Sequence, residues 1–350
     1  MRRSLNLFVA LASTLSLSLA GCGAGSSSSA SRATTTTGSG SAIALWRGAV
    51  AVRGVLDLSV PRADGKIVVA SAGHLLVLSR SGALQALPAS RAGYVSPGGD
   101  EPYIALSAGE RVPGAGCRFA PEAVYVLRLR HGAGVTVVDA AGDARAFVRL
   151  SGSGVEDGIA FDTTGSFGHR LLVTDTSGSR TTVYAIDCRG VVSTITTTAP
   201  RVEGGLVVAP TSFGRFAGDL IAPDEDSGRI YAISPQGHTT LVAEPALARG
   251  GDIGVESAGF APAGFGPSST ALVADRLTPG NAHRGDDEIL RIDGPSLIAA
   301  GVRPGDLLVA TEGGGETVAI TCTAVTCVAR HVADGPAEAH VEGHLVFTGG

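Results

Sequence analysis

Four glutamates stand at matching places in a repeating pattern, and they are the residues of this chain best suited to chemistry. They are Glu156 in Val155-Glu156-Asp157-Gly158, Glu203 in Val202-Glu203-Gly204-Gly205, Glu256 in Val255-Glu256-Ser257-Ala258, and Glu342 in Val341-Glu342-Gly343-His344. If the repeats fold alike, the four carboxylates converge. Carboxylates gathered at one place repel one another unless protons or a cation intervene. Oxygen-rich rings of this kind suit Ca2+ or another hard divalent metal. A second constellation overlaps the first, because His340, Glu342 and His344 form His-x-Glu-x-His. On a strand, residues two apart share one face, so both imidazoles and the carboxylate would point the same way and could grip a transition metal. Gly343 lies inside this run and could open a bulge that breaks the alternation. The other reading of the glutamates is structural. Each would accept hydrogen bonds from backbone N–H groups or pair with a neighbouring arginine, recurring because the repeat recurs.

The elements that position these residues are short strands. Runs such as Ile67-Val68-Val69-Ala70, Val135-Thr136-Val137-Val138 and Leu171-Leu172-Val173 are apolar and β-prone, and Gly, Pro, Asp and Ser separate them. Three segments align. In the first, Val155–Phe161 is followed by Phe167-Gly168, Leu171–Asp175 and Val183–Asp187. In the second, Val202–Val208 is followed by Phe213-Gly214, Leu220–Asp224 and Ile230–Ser234. In the third, Val255–Phe260 is followed by Phe265-Gly266, Leu272–Asp275 and Ile289–Asp293. Successive Val-Glu starts lie 47 and then 53 residues apart, and the last lies 86 further on, the length of two repeats. This is the period of a four-stranded propeller blade. A β-sandwich or a solenoid would share the turns without repeating at several separate offsets. The expectation is an all-β chain, a β-propeller of six blades with four antiparallel strands each. The Val-Glu start at the C-terminus suggests that the last strand completes an N-terminal blade. Asp175, Asp224 and Asp275, at strand ends, read as turn caps. The acidic run Asp286-Asp287-Glu288 beside His283 reads as a solvated loop or a calcium loop.

The Gly158–Asp162 start (Gly-Ile-Ala-Phe-Asp) and the strand end Leu172-Val173-Thr174-Asp175 recur at Gly205–Ala209 with Ile221–Asp224, and at Gly259–Ala261 with Leu272–Asp275. Over about half the chain this pattern resembles the six-bladed superfamily of NHL-repeat, strictosidine-synthase-like and gluconolactonase (regucalcin) proteins. The resemblance implies a divalent metal in the central channel, held by side chains at blade starts. It carries over to Glu342 before Gly343 and to Asp157 before Gly158. Gly204 and Ala258 hold the corresponding places without a ligand atom.

The N-terminus has its own logic. Arg2 and Arg3, a short apolar stretch to Leu19 and then Leu19-Ala20-Gly21-Cys22 form a signal peptide over 1–21. The exit resembles the bacterial lipobox, which implies lipidation of Cys22. Residues 22–41, rich in Ser, Thr and Gly, form a flexible linker, and 42–350 form the propeller domain. The expected location is the cell membrane, lipid-anchored, on the extracytoplasmic side. The remaining cysteines, Cys117, Cys188, Cys322 and Cys327, are even in number in an exported chain and suggest two disulfides. Cys322–Cys327 suits a hairpin across Thr-Ala-Val-Thr, which leaves Cys117–Cys188.

A formal net charge of −5 with no basic run excludes nucleic acid as a partner. No nucleophile elbow, phosphate loop or His-Glu-x-x-His motif is present. The leading expectation is a tethered propeller that binds a protein or small-molecule ligand at its channel mouth or rim loops. The alternative is a lactonase-like hydrolase that depends on a divalent metal, with a carboxylate or His344 as base. A structural envelope protein without a small ligand is the third reading.

Overall fold

The computed structural model describes residues 42–87 and 101–349. The signal peptide, Cys22 and the linker lie outside the described residues.

Six sheets follow one another around a ring, each built on four antiparallel strands, with a fifth, parallel strand added to one of them. Blade one comprises Val55–Leu58, Ile67–Ser71, His74–Leu78 and Leu84–Ala86. Blade two comprises Ile104–Leu106, Val124–Leu127, Gly134–Val138 and Ala144–Arg149, with a hairpin, Arg111–Val112 and Cys117–Arg118, set between its first two strands. Blade three comprises Val155–Phe161, Leu171–Ser177, Arg180–Ile186 and Val192–Pro200. Blade four comprises Val207–Val208, Leu220–Asp224, Arg229–Ile233 and Thr239–Ala243. The first strand of each blade lines the channel. Second strands such as Ile67–Ser71 and Leu220–Asp224 are buried at every position, because blades pack on both faces. Between blades two and three this packing is aromatic: Phe119, Tyr125, Phe147 and Phe161 meet with ring centroids 4.9 to 6.2 Å apart, mostly edge to face. Each such pair contributes about 0.5–1.5 kcal/mol beyond its buried area.

The last two blades correct the repeat as read from sequence. Val255–Phe260 is the inner strand of blade five, but Thr270–Asp275 and Glu288–Asp293 belong to blade six. The chain then returns to blade five for Leu307–Thr311, Thr317–Cys322 and Cys327–Asp334, and ends as the inner strand of blade six, Val341–Thr348. The third repeat is therefore shared between two sheets. Its local pattern is that of a blade, yet Val255 faces Thr311 across the sheet, not a residue of the next strand in sequence. The last strand therefore does not complete an N-terminal blade, as the sequence suggested; it joins Thr270–Asp275 and Glu288–Asp293, and Arg47–Ala51 adds the outer strand of that same sheet. This closure leaves the ring without an open seam. Ala44–Leu45 adds a parallel strand to blade five, and the indole N–H of Trp46 donates to Thr317 Oγ1 at 2.9 Å.

Both expected disulfides are present. Cys117–Cys188 ties the inserted hairpin of blade two to the turn after the third strand of blade three, and Cys322–Cys327 crosses a hairpin of blade five. Such bonds fit an oxidising compartment. Among the described residues the one α-helix is Gly294–Ala299, and no helix is long and apolar enough to cross a membrane.

Candidate functional site: an acidic channel mouth

Inner strands begin at one mouth of the channel with a break in register. In blade three, Glu156 pairs with Asp175 and Gly158 with Thr174, so Asp157 is the unpaired residue. In blade five, Val255 pairs with Thr311 and Ser257 with Ala310, so Glu256 is the unpaired residue. Asp157 and Glu256 thus hold equivalent places. The Val-Glu alignment is one residue out in blade three, and one residue reverses the face of a side chain. Glu156 accordingly leaves the mouth. It is buried beside Asp175 and Arg128, and its Oε1 has no hydrogen-bond partner among the described residues. The backbone carbonyls of both unpaired residues accept from blade four, Gly204 N to Asp157 O at 2.8 Å and Gly205 N to Glu256 O at 3.1 Å. Gly204, at φ +81°, passes so close that a Cβ there would strike the Glu256 carboxylate. This close approach explains why blade four offers glycines where a ligand was sought.

Glu256 and Glu342 meet at the Tyr103 hydroxyl, which lies 2.8 Å from Glu256 Oε1, 2.8 Å from Glu342 Oε2 and 3.0 Å from Glu101 Oε2. Arg276 reaches Glu101 at 2.9 Å and Glu342 at 3.0 Å. His340 Nε2 lies 2.9 Å from Glu312 Oε1 and 3.4 Å from Glu342 Oε1. Across the mouth, Arg201 binds Glu203 at 2.5 Å, Glu225 at 2.9 Å and Asp226 at 3.1 Å. Glu203 therefore sits at the rim, held by arginine.

Carboxyls outnumber bases here, and burial decides which stay charged. Burial opposes charge on Glu342, yet His340, Arg276 and the Tyr103 hydroxyl together hold it below the usual carboxylate range. Burial and then the charge of Glu342 push Glu256 far up. Glu342, followed by burial, pushes Glu101 to about 8, and burial with Glu203 pushes Glu225 to about 9. Burial works against a charged His340, but Glu312 and Glu342 hold it at about 10. These directions make the hydroxyl contacts consistent. Tyr103 has one proton to donate, and Glu342, the carboxyl held below the usual range, is the acceptor these directions favour.

His344 does not join His340. Gly343 is left-handed at φ +65°, and the pairing shifts between Glu342 and Val346. The alternation of His-x-Glu-x-His breaks there. His344 instead plugs the waist of the channel, with Nδ1 3.0 Å from both oxygens of Asp57 and Nε2 3.0 Å from Ile159 O. With acceptors at both nitrogens the ring is held as the imidazolium. Burial opposes that charge and the Asp57 carboxylate outweighs it, raising the pKa. His344 is thus committed to Asp57 and is not a free base for hydrolysis.

Glu312, His340 and Glu342 each present a ligand atom within 4.8 Å of the others, all buried. Glu312 Oε2 and His340 Nδ1 are buried without a hydrogen-bond partner among the described residues. This donor set fits a divalent cation that takes the place of the proton on His340. Of the six residues singled out in the sequence, Glu256, Glu342 and His340 come together, Glu203 flanks them, and Glu156 and His344 lie apart. Sequence reasoning missed Glu101, Tyr103, Arg201, Glu225, Arg276 and Glu312. Three of these carry a readable signal, because Glu225, Arg276 and Glu312 each follow directly on the end of a second strand, at Asp224, Asp275 and Thr311. Of the three strand-ending aspartates read as turn caps, Asp224 caps its own turn, accepting from Ser227 N at 3.3 Å, whereas Asp275 accepts from His340 N at 2.8 Å and Asp175 from Gly154 N at 3.2 Å, both on other segments.

No protein-family model matches the chain, and no curated protein matches it. Among solved structures the chain is similar to one in the nidogen/laminin complex, with a TM-score of 0.48 and 11% identity over 85% of each chain. It is also similar to virginiamycin B lyase from Staphylococcus aureus, with a TM-score of 0.44 and 12% identity over 87% of this chain and 98% of that one. A suggested gluconolactonase gives a TM-score of 0.35 and 17% identity over 71% of this chain and 92% of that one. None of these likenesses bears on activity, and the six-bladed ring stands on its own strand pairing.

Proposed function

We propose that this protein is a lipid-anchored, extracytoplasmic propeller whose acidic mouth holds a divalent cation, Ca2+ or, given the imidazole among the donors, a transition metal, and through it an oxygen-rich ligand or a protein partner. The observation that carries the reading is the buried trio Glu312, His340 and Glu342, with an unpartnered carboxylate oxygen on Glu312. A buried polar atom left without a partner costs about 1–3 kcal/mol, and a bound ion removes that cost. Arg201 and Arg276, each partly exposed at the rim, supply contacts for an anionic or carbonyl-bearing ligand. The test is metal content and thermal melting of the chain from residue 22 onward, carrying Cys22→Ser. Calcium at one hundred times its Kd adds about 2.7 kcal/mol, a rise of roughly 5 °C for a domain of this size. Glu312→Gln is expected to abolish the rise. No bound ion and no shift at millimolar calcium would sink the reading. A hydrolytic reading uses the same ion. It is favoured by Glu101, which lies at the half-open rim with a pKa of about 8, where a proton moves readily near neutral pH. Turnover of a lactone panel by the metal-loaded protein would carry it, and no turnover would leave binding alone.

A further inference from the structure

The channel has a second mouth, where the inner strands end, and its chemistry is the reverse of the first. A cavity of about 630 Å³ opens there, lined by residues of all six blades, among them Leu58, Ile104, Phe161, Val207, Phe260 and Phe347. It differs from a plain gap in three ways. Its size lies within the 300–1,000 Å³ typical of small-molecule sites. Its wall is nearly free of charge, since His344 is its only ionisable lining residue among those described, and both ring nitrogens of His344 are already taken by Asp57 and Ile159 O. At its floor, the same contacts tie blade six to blades one and three across the channel. On the wall contributed by blades three and four, the exposed Thr163 and Thr211 hydroxyls have no hydrogen-bond partner among the described residues.

We propose that this funnel is a second binding site, for a neutral, largely apolar small molecule carrying one hydrogen-bonding group at its outer end. An ion entering would lose hydration and meet no charge that is not already paired, since His344 is committed to Asp57. An apolar body covers the surface that Val60, Val207 and Phe260 leave open to water, and burying apolar surface favours binding. The Thr163 and Thr211 hydroxyls satisfy a single polar end and set its orientation. This inference is independent of the cation reading.

The experiment uses N-phenyl-1-naphthylamine, a neutral apolar fluorophore with one N–H group, titrated into the chain from residue 22 onward carrying Cys22→Ser. The buffer contains EDTA, so that an empty cation site has no influence on the outcome. The expected result is saturable binding of one probe per chain, with a blue-shifted rise in emission. Val207→Trp, which fills the funnel, should weaken binding at least tenfold. Val60→Asp, at a rim position that is 56% exposed and cannot threaten the core, should weaken it at least threefold. No saturation, several probes per chain, or unchanged affinity in Val60→Asp would overturn the proposal.

Discussion

Asp157→Asn tests the electrostatics of the mouth at a residue outside the proposed ligand trio. Asp157 is buried at the register break of blade three, and its Oδ1 accepts from Thr174 Oγ1 at 2.8 Å. Burial pushes its pKa up to about 8 from 3.8; Glu203 adds to the push, while Thr176, Thr174 and Arg201 oppose it. Between those two values the folded chain keeps a proton that the unfolded chain releases. Stability therefore falls as pH rises from about 4 to about 8, and this residue costs nothing below that window. At 1.36 kcal/mol per pH unit, some four units set a ceiling of about 5–6 kcal/mol. Asparagine keeps an oxygen for Thr174 and carries no charge. The variant is thus expected to match the parent at pH 4 and to exceed it by about 3 kcal/mol or more at pH 9. Urea unfolding at pH 4, 6 and 9, followed by the fluorescence of Trp46, the only tryptophan, measures this difference. A difference that does not change with pH, or a variant less stable than the parent at pH 9, would refute the reasoning.

Two further outcomes are expected. Chain-entropy arguments rank the disulfides by loop length: Cys117–Cys188 closes 71 residues and Cys322–Cys327 closes 5, so losing the first should cost roughly 4.4 kcal/mol and losing the second roughly 2 kcal/mol; equal losses in denaturant unfolding of the two double-serine variants would contradict that order. If Cys22 carries the lipid, the intact protein should partition into the detergent phase on cloud-point separation and Cys22→Ser, made from residue 22 onward, into the aqueous phase, whereas identical partition of the two would remove the anchor.

The sequence by itself determined the class of fold and its period. Alternating β-prone runs, turn residues at fixed offsets and spacings of 47 and 53 residues admit few architectures other than a ring of small sheets. Local chemistry also determined the Cys322–Cys327 hairpin, and with it the remaining pair. What it did not determine is which strands pair. Strand periodicity fixes which residues share a face, while the partner is chosen by packing across the whole ring. Thr270–Asp275 therefore looks like the continuation of Val255–Phe260 and yet belongs to the next blade. The site shows the same division. Four glutamates could be read as a set, but a single unpaired residue in blade three turns Asp157 towards the mouth and Glu156 away from it. Gly343 likewise separates His340 from His344 and makes one a member of the acidic cluster and the other the plug of the channel. The apolar funnel has no sequence signature at all. Its lining residues come in short runs from six blades, and only closure of the ring brings them to face one another.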